Sequence, residues 1–311
     1  MTLLHAHEGG ASVFEMELGE ILHGLWDEVL LHAILDTLKI IVFLFLTYLL
    51  MEFIEHKAED KLTGFIKRSG HFAPAIGGVL GMLPQCGFSA SASNLYAGRI
   101  ITMGTVVAVF LSTSDEMLPI MLSGSIPPLA ILATLGYKAV VGILVGLILD
   151  LILHVLKKDD EPINIDELCD EEGCKCEGGI FRSAIHHTLG VGLFVFIITV
   201  LINALVFAIG EENLSHILYN KPFIGHLIAA VFGLIPNCAA SVALTTLCTE
   251  GYITVGTMMS GLFSGAGVGL LVLFRVNKRP RENFLIMGIL VIVGLVFGLL
   301  ADLIGFSALL V

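Results

Sequence analysis

Apolar positions come in long unbroken runs rather than in the one-sided stripe of a soluble helix. The runs at 33–53, 129–156, 184–209 and 284–310 each reach the roughly 18 residues that a bilayer-crossing helix needs. Each predicts a full-length transmembrane helix. Two further apolar stretches are interrupted at their middle by polar residues, "GMLPQCGFSAS" at 81–91 and "GLIPNCAASVA" at 233–243. Proline removes an amide donor there and crowds the preceding turn, so both predict broken helices. The 72–97 stretch around the first break is long enough for one span or for two half-length arms, at about 1.5 Å per residue. Arg99 follows it and Glu250 follows its counterpart, each keeping the charge sign of the loop before. Both stretches therefore read as re-entrant hairpins that enter and leave on one side.

The pattern repeats. Sliding the chain by 152 positions brings Gly81 onto Gly233, Pro84 onto Pro236, Cys86 onto Cys238 and Ser89 onto Ser241. With no gap, the same offset carries Thr102, Gly104 and Thr105 onto Thr254, Gly256 and Thr257, and Pro128 onto Pro280. It still pairs Gly142, Gly146 and Asp150 with Gly294, Gly298 and Asp302. A duplication explains a match of this length. The chain divides into an N-terminal extracytoplasmic tail with an interfacial helix (1–27), a first membrane repeat (28–156), an acidic loop (157–179) and a second membrane repeat (180–311).

Charge sets the orientation of the copies. The loop "EHKAEDKLTGFIKRSGH" carries Lys57, Lys61, Lys67 and Arg68, whereas its counterpart "GEENLSHILYNKP" has only Lys221. Past the third segment the bias reverses, with "SGSIPP" uncharged and "RVNKRPREN" basic. Basic loops stay in the cytoplasm, so the copies are expected to be inverted. The fold class expected is an all-α polytopic membrane protein of two inverted repeats with about ten segments, both termini outside and the central loop cytoplasmic. Only 14% of residues are charged, against about 25% in soluble domains. The net charge of −12 comes mainly from loops and does not identify a partner. No phosphate-binding loop, nucleophile elbow or basic aromatic-rich surface is present, which argues against an ATP-driven pump, a hydrolase and a nucleic-acid binder.

Inverted repeats with discontinuous helices are a recurrent plan of secondary transporters, whose site lies near the midplane between the copies. Gln85, Cys86, Ser89, Asn237, Cys238 and Ser241 are the candidate substrate ligands, because they recur in both copies beside freed backbone carbonyls. Ser91, Ser93 and Thr246 read more simply as small residues that let helices pack closely. A second irregularity, "FLSTSDEMLP" at 110–119, places Asp115 and Glu116 between apolar runs, where the other copy has glycine and alanine. Ionisable groups at such depth are functional candidates, here for metal binding or coupling; the alternative is an interface reached by a shorter third span. Lys39 and Lys138 are expected to snorkel to the boundary. Asp36, Asp150 and Asp302 are expected near span ends. Cys169, Cys174 and Cys176, among acids in the central loop, form a candidate accessory soft-metal patch without the paired spacing of a zinc site.

The doubled "GxLPQC…S" and "GxIPNC…S" breaks, the "STSDEMLP" stretch and the His/Cys-bearing terminus and loop resemble the ten-transmembrane heavy-metal exporters, arsenical-permease-like proteins also described as manganese transporters. The resemblance runs from about 30 to 311. It implies efflux of a metal or metalloid across a bacterial cytoplasmic membrane, and no enzyme activity. Oxygen ligands suit Mn²⁺ and thiols suit trivalent arsenic; both ligand types are present. A divalent ion such as Mn²⁺ is the first expectation, with a proton or cation as coupling partner and no resident cofactor. Besides the bilayer, a second copy of the chain is a candidate partner. The alternative is a sodium- or proton-coupled transporter of a small organic anion.

Overall fold

The computed structural model describes residues 72–82, 86–114, 117–123, 126–156, 180–209, 222–236 and 238–306, together with helical backbone within 33–49. All the regular structure among these residues is helical. In chain order the elements are α1 (Ala73–Gly81), α2 (Cys86–Ala97), α3 (Met103–Ser112), α4 (Met117–Ser123) and α5 (Pro128–Val155), then α6 (Ile180–Ile209), α7 (Pro222–Gly233), α8 (Cys238–Thr249), α9 (Val255–Ser264), α10 (Val268–Val276) and α11 (Pro280–Ile304). Shifting α2 and α3 by 152 residues reproduces the bounds of α8 and α9 to the residue, and both α5 and α11 open on proline. Proline suits a first helical position, where its missing amide has no partner to lose.

Five helical stretches are long and apolar enough to cross a membrane: Met103–Leu122, Pro128–Val155, Ala184–Leu201, Val255–Val276 and Pro280–Ile304. Their outward faces are apolar; Leu129 on α5 is 70% exposed and Leu303 on α11 82%. Such stripes are costly in water and natural against lipid chains. This is a multi-pass membrane protein.

Small residues glue the helices together. On α3, Gly104, Ala108 and Ser112 face Gly142, Gly146 and Asp150 of α5, every fourth residue on each, in antiparallel order. The second half repeats the seam with Gly256, Ser260 and Ser264 against Gly294, Gly298 and Asp302. Backbones can approach this closely only where side chains are small. A Cβ built on Gly104 would run into the Gly146 carbonyl, and one on Gly256 into that of Gly298.

Each seam is closed by an aspartate. Asp150 Oδ2 accepts from Thr102 Oγ1 at 2.6 Å, and its Oδ1 accepts from the Gly104 amide at 2.7 Å. Asp302 does the same for Thr254 at 2.6 Å and Gly256 at 2.8 Å. Thr102 and Thr254 in turn cap α3 and α9 by accepting the amides of Thr105 and Thr257. A carboxylate and a hydroxyl together satisfy donors that a helix N-terminus leaves open. As expected, both aspartates lie near the ends of their long helices.

The first hairpin begins and ends at the same end of α3. Gly77 of α1 lies beside Thr105 and Val109 of α3, and Gly81 beside Val109 and Ser112, so α1 and α3 run together. Pro74, near the start of α1, touches Gly146 at the Thr102 end of the seam. α2 ends at Ala97, five residues before Thr102. Both ends of the hairpin therefore lie at the head of α3. The third segment departs from the expectation of one continuous span: it is two half-helices, α3 and α4, separated at 113–116, and α9 and α10 are separated likewise at 265–267. Lys138 also departs from expectation. It is fully buried rather than snorkelling, for a reason given by the site.

Candidate functional site

The helix breaks meet in pairs. In the first half, Ser114 Oγ donates to the Met82 carbonyl at 2.9 Å, tying the broken third segment to the tip of the hairpin. In the second half, a Cβ on Gly265 would stand 3.3 Å from the Gly233 carbonyl, so the equivalent tip and break are again adjacent. The halves then join. α2 lies along α10 and α8 lies along α4, so the returning arm of each hairpin packs on the second half-helix of the other copy. Ser93 Oγ donates to the Gly269 carbonyl at 2.6 Å, and Ser89, fully buried, sits with Phe110 against Gly269.

The depth of this junction follows from helix length. α3 and α9 have 10 residues each, about 15 Å of helix, half the roughly 30 Å apolar core of a bilayer. A helix that stops there leaves its last carbonyls without amide partners. The last amide bonds run from Thr113 to Val109 and from Gly265 to Gly261, and the Thr113 and Ser264 hydroxyls donate to those same carbonyls at 2.7 and 2.9 Å. At the second break Gly267 has φ 52° and ψ −142°, a backbone state that side chains other than glycine's hydrogen avoid. Lys138 Nζ donates to the Leu262 carbonyl at 2.6 Å and lies 5.5 Å from the centre of the Phe263 ring.

Of the candidate residues, Ser89 is at the junction and Ser241 lies half-buried in α8, its carbonyl accepting from Thr245 Oγ1 at 2.7 Å. Cys86 and Cys238 are the first residues of α2 and α8, where each arm resumes after its break. Gln85, Asn237, Asp115, Glu116, Cys169, Cys174 and Cys176 lie outside the described residues. Ser93, taken as a packing residue, does bridge two helices. Among the described residues no group of three or more His, Cys, Asp and Glu side chains converges as a preformed metal site. Lys138 is the residue that the sequence pattern misplaced: hydropathy places a lysine by the length of its run, and its long stem leaves the depth of the ammonium open.

A polar cluster sits at the end of the molecule where α2 finishes. Glu282, in the first turn of α11, accepts from Tyr96 Oη at 2.8 Å and from Arg99 Nη1 at 3.0 Å. Arg279 Nη1 approaches its other oxygen at 3.3 Å. The positions 152 residues away from Tyr96, Arg99 and Glu282 are Cys248, Gly251 and Ala130, so this cluster belongs to one end only.

A family model described as a 10TM heavy-metal exporter matches residues 26–213. The chain belongs to that family. The matched stretch takes in the first half, the loop at 157–179 and all of α6. No curated protein and no solved structure matches the chain. Five long apolar stretches and further shorter apolar helices among the described residues are consistent with a polytopic member of that family. Membership in a transporter family also fits a buried centre made of helix ends and hydroxyls.

Proposed function

We propose that this protein is a secondary active transporter that exports a divalent metal ion, Mn²⁺-like in its ligand preference, or, as the second choice, an arsenite-type metalloid. The observation that carries the reading is how the helix breaks are seated: Ser114 on Met82 within one half, and the start of α10 at Gly269 against Ser93 of α2 between halves. Unsatisfied carbonyls are tolerated at membrane depth only where they face protein or a wet cavity, and such carbonyls are natural cation ligands. Gln85, Cys86, Ser89, Asn237, Cys238 and Ser241 would supply the remaining substrate ligands, and Asp115 and Glu116 the negative charge that binds or couples the cation. Cys169, Cys174 and Cys176 would form an accessory metal patch.

Inverted copies are supported by the contacts at the two ends. The head of α3 lies beside the tail of α5, and the head of α11 lies with Arg99 at that same end, whereas the head of α9 lies beside the tail of α11. Copies related by inversion in the membrane must exchange heads and tails in this way. Basic residues 275–281 then put the Arg99–Glu282 end in the cytoplasm. Rocking of one copy against the other about the junction would expose the centre to each side in turn.

The test is metal tolerance and accumulation in cells expressing the protein, against a panel including Mn²⁺ and arsenite. Lowered accumulation of one species, lost in Asp115→Asn, supports export; an unchanged panel rejects it. The second reading, a small organic anion, is favoured by the buried ammonium of Lys138 and by the half-helix N-termini at the breaks. Sodium-dependent uptake that survives loss of both Cys86 and Cys238 would select it.

A further inference from the structure

Lys138 lies in the first half of α5, fully buried, in a helix whose outer face meets lipid. A lysine so placed ordinarily stretches its stem towards water. This one turns inward onto the Leu262 carbonyl. Leu262 is in the last turn of α9, which ends at Ser264, and the final amide bond there runs from Gly265 to Gly261. The ammonium thus stands at the negative end of a truncated helix and donates to a carbonyl that a continuous helix would use internally.

The duplication supplies an internal control. α3 ends at the equivalent point of the first half, and there the position matching Lys138 is Leu290, buried in the apolar core. A broken helix in this scaffold therefore ends without an ammonium, and Lys138 is an addition to one copy. Asp115 and Glu116 belong to the same copy as Lys138, and their matching positions are Gly267 and Val268.

We propose that Lys138 is the built-in competitor of the cargo: its ammonium holds, in the ligand-free centre, the position that the transported cation takes, and cation binding drives it away. This rests on the cation reading of the centre. Two unit charges about 4 Å apart near a protein surface repel strongly enough to lower affinity roughly a thousandfold, and more against a doubly charged ion, so both cannot stay. The four-carbon stem lets the ammonium leave without a backbone change.

The experiment measures Mn²⁺ binding to the purified full-length protein in detergent, by equilibrium dialysis, and Mn²⁺ flux in proteoliposomes. Lys138→Met is expected to bind Mn²⁺ at least tenfold more tightly and to turn over more slowly. Lys138→Leu reproduces the residue of the other half and serves if the methionine variant does not fold. Lys138→Arg keeps a fixed charge and is expected to bind no more tightly than the parent protein. Unchanged or absent binding in the methionine and leucine variants overturns the proposal, and weaker binding overturns it too by making Lys138 a ligand rather than a competitor. Asp115→Asn run in parallel separates the two ideas: unchanged affinity there with tightening in Lys138→Met leaves Lys138 standing and removes the acid from the site.

Discussion

Arg99 Nη1 lies 3.0 Å from Glu282 Oε2, joining the end of the first hairpin to the head of α11 in the other half. Arg99 holds a left-handed backbone, φ 57°, which favours glycine; the matching residue in the second half is Gly251, at φ 82°. The strain is tolerated because the guanidinium reaches the carboxylate and lies over the Tyr96 ring, 5.1 Å from its centre.

Two variants separate backbone from side chain at this point. Arg99→Ala and Arg99→Gly both lose the ion pair, but only glycine relieves the backbone, so Arg99→Gly is expected to be the more stable by about 1 kcal/mol. Glu282→Gln weakens the charge-assisted bonds to Tyr96 and Arg99 and is expected to cost about 1–2 kcal/mol. Thermal midpoints of the purified protein in detergent check both.

The aspartate caps predict paired losses. Asp150→Ala removes acceptors for Thr102 and the Gly104 amide and is expected to cost about 2 kcal/mol. Asp302→Ala is expected to cost more, since Asp302 also faces the buried His226 at 3.2 Å, where the first half has Pro74. Equal losses would mean that the histidine contact adds nothing.

Glycine substitutions should split sharply. Gly256→Ala drives a methyl into the Gly298 carbonyl and is expected to abolish folded protein, read as the monodisperse fraction after extraction. Gly288, on the same long helix as Gly298, has open space where a Cβ would stand. Gly288→Ala is expected to be neutral or stabilising by up to about 1 kcal/mol.

Cysteine chemistry distinguishes the cargoes. The paired change Cys86→Ser and Cys238→Ser is expected to lower Mn²⁺ flux in proteoliposomes only modestly, because each serine hydroxyl still offers a hard ion an oxygen ligand in place of the thiol. A collapse of Mn²⁺ flux, with binding of arsenite also lost, would move the assignment to a thiol-held metalloid.

By itself the sequence determined the duplication, the two prolyl breaks, the hairpin arms and the spanning helices. These depend on apolar run length, on proline and on a period of 152, all local or self-comparing properties that need no partner. Even the caps were half visible, since "TMGT" and "TVGT" stood in register with Asp150 and Asp302. The tertiary structure alone decided that each third segment is two half-helices, that α2 seats on α10 of the other half, that Arg99 meets Glu282 across 183 residues and that Lys138 points inward. Those outcomes are set by which helix faces pack together, and a hydropathy pattern records how apolar a segment is but not which neighbour its one polar side chain will find.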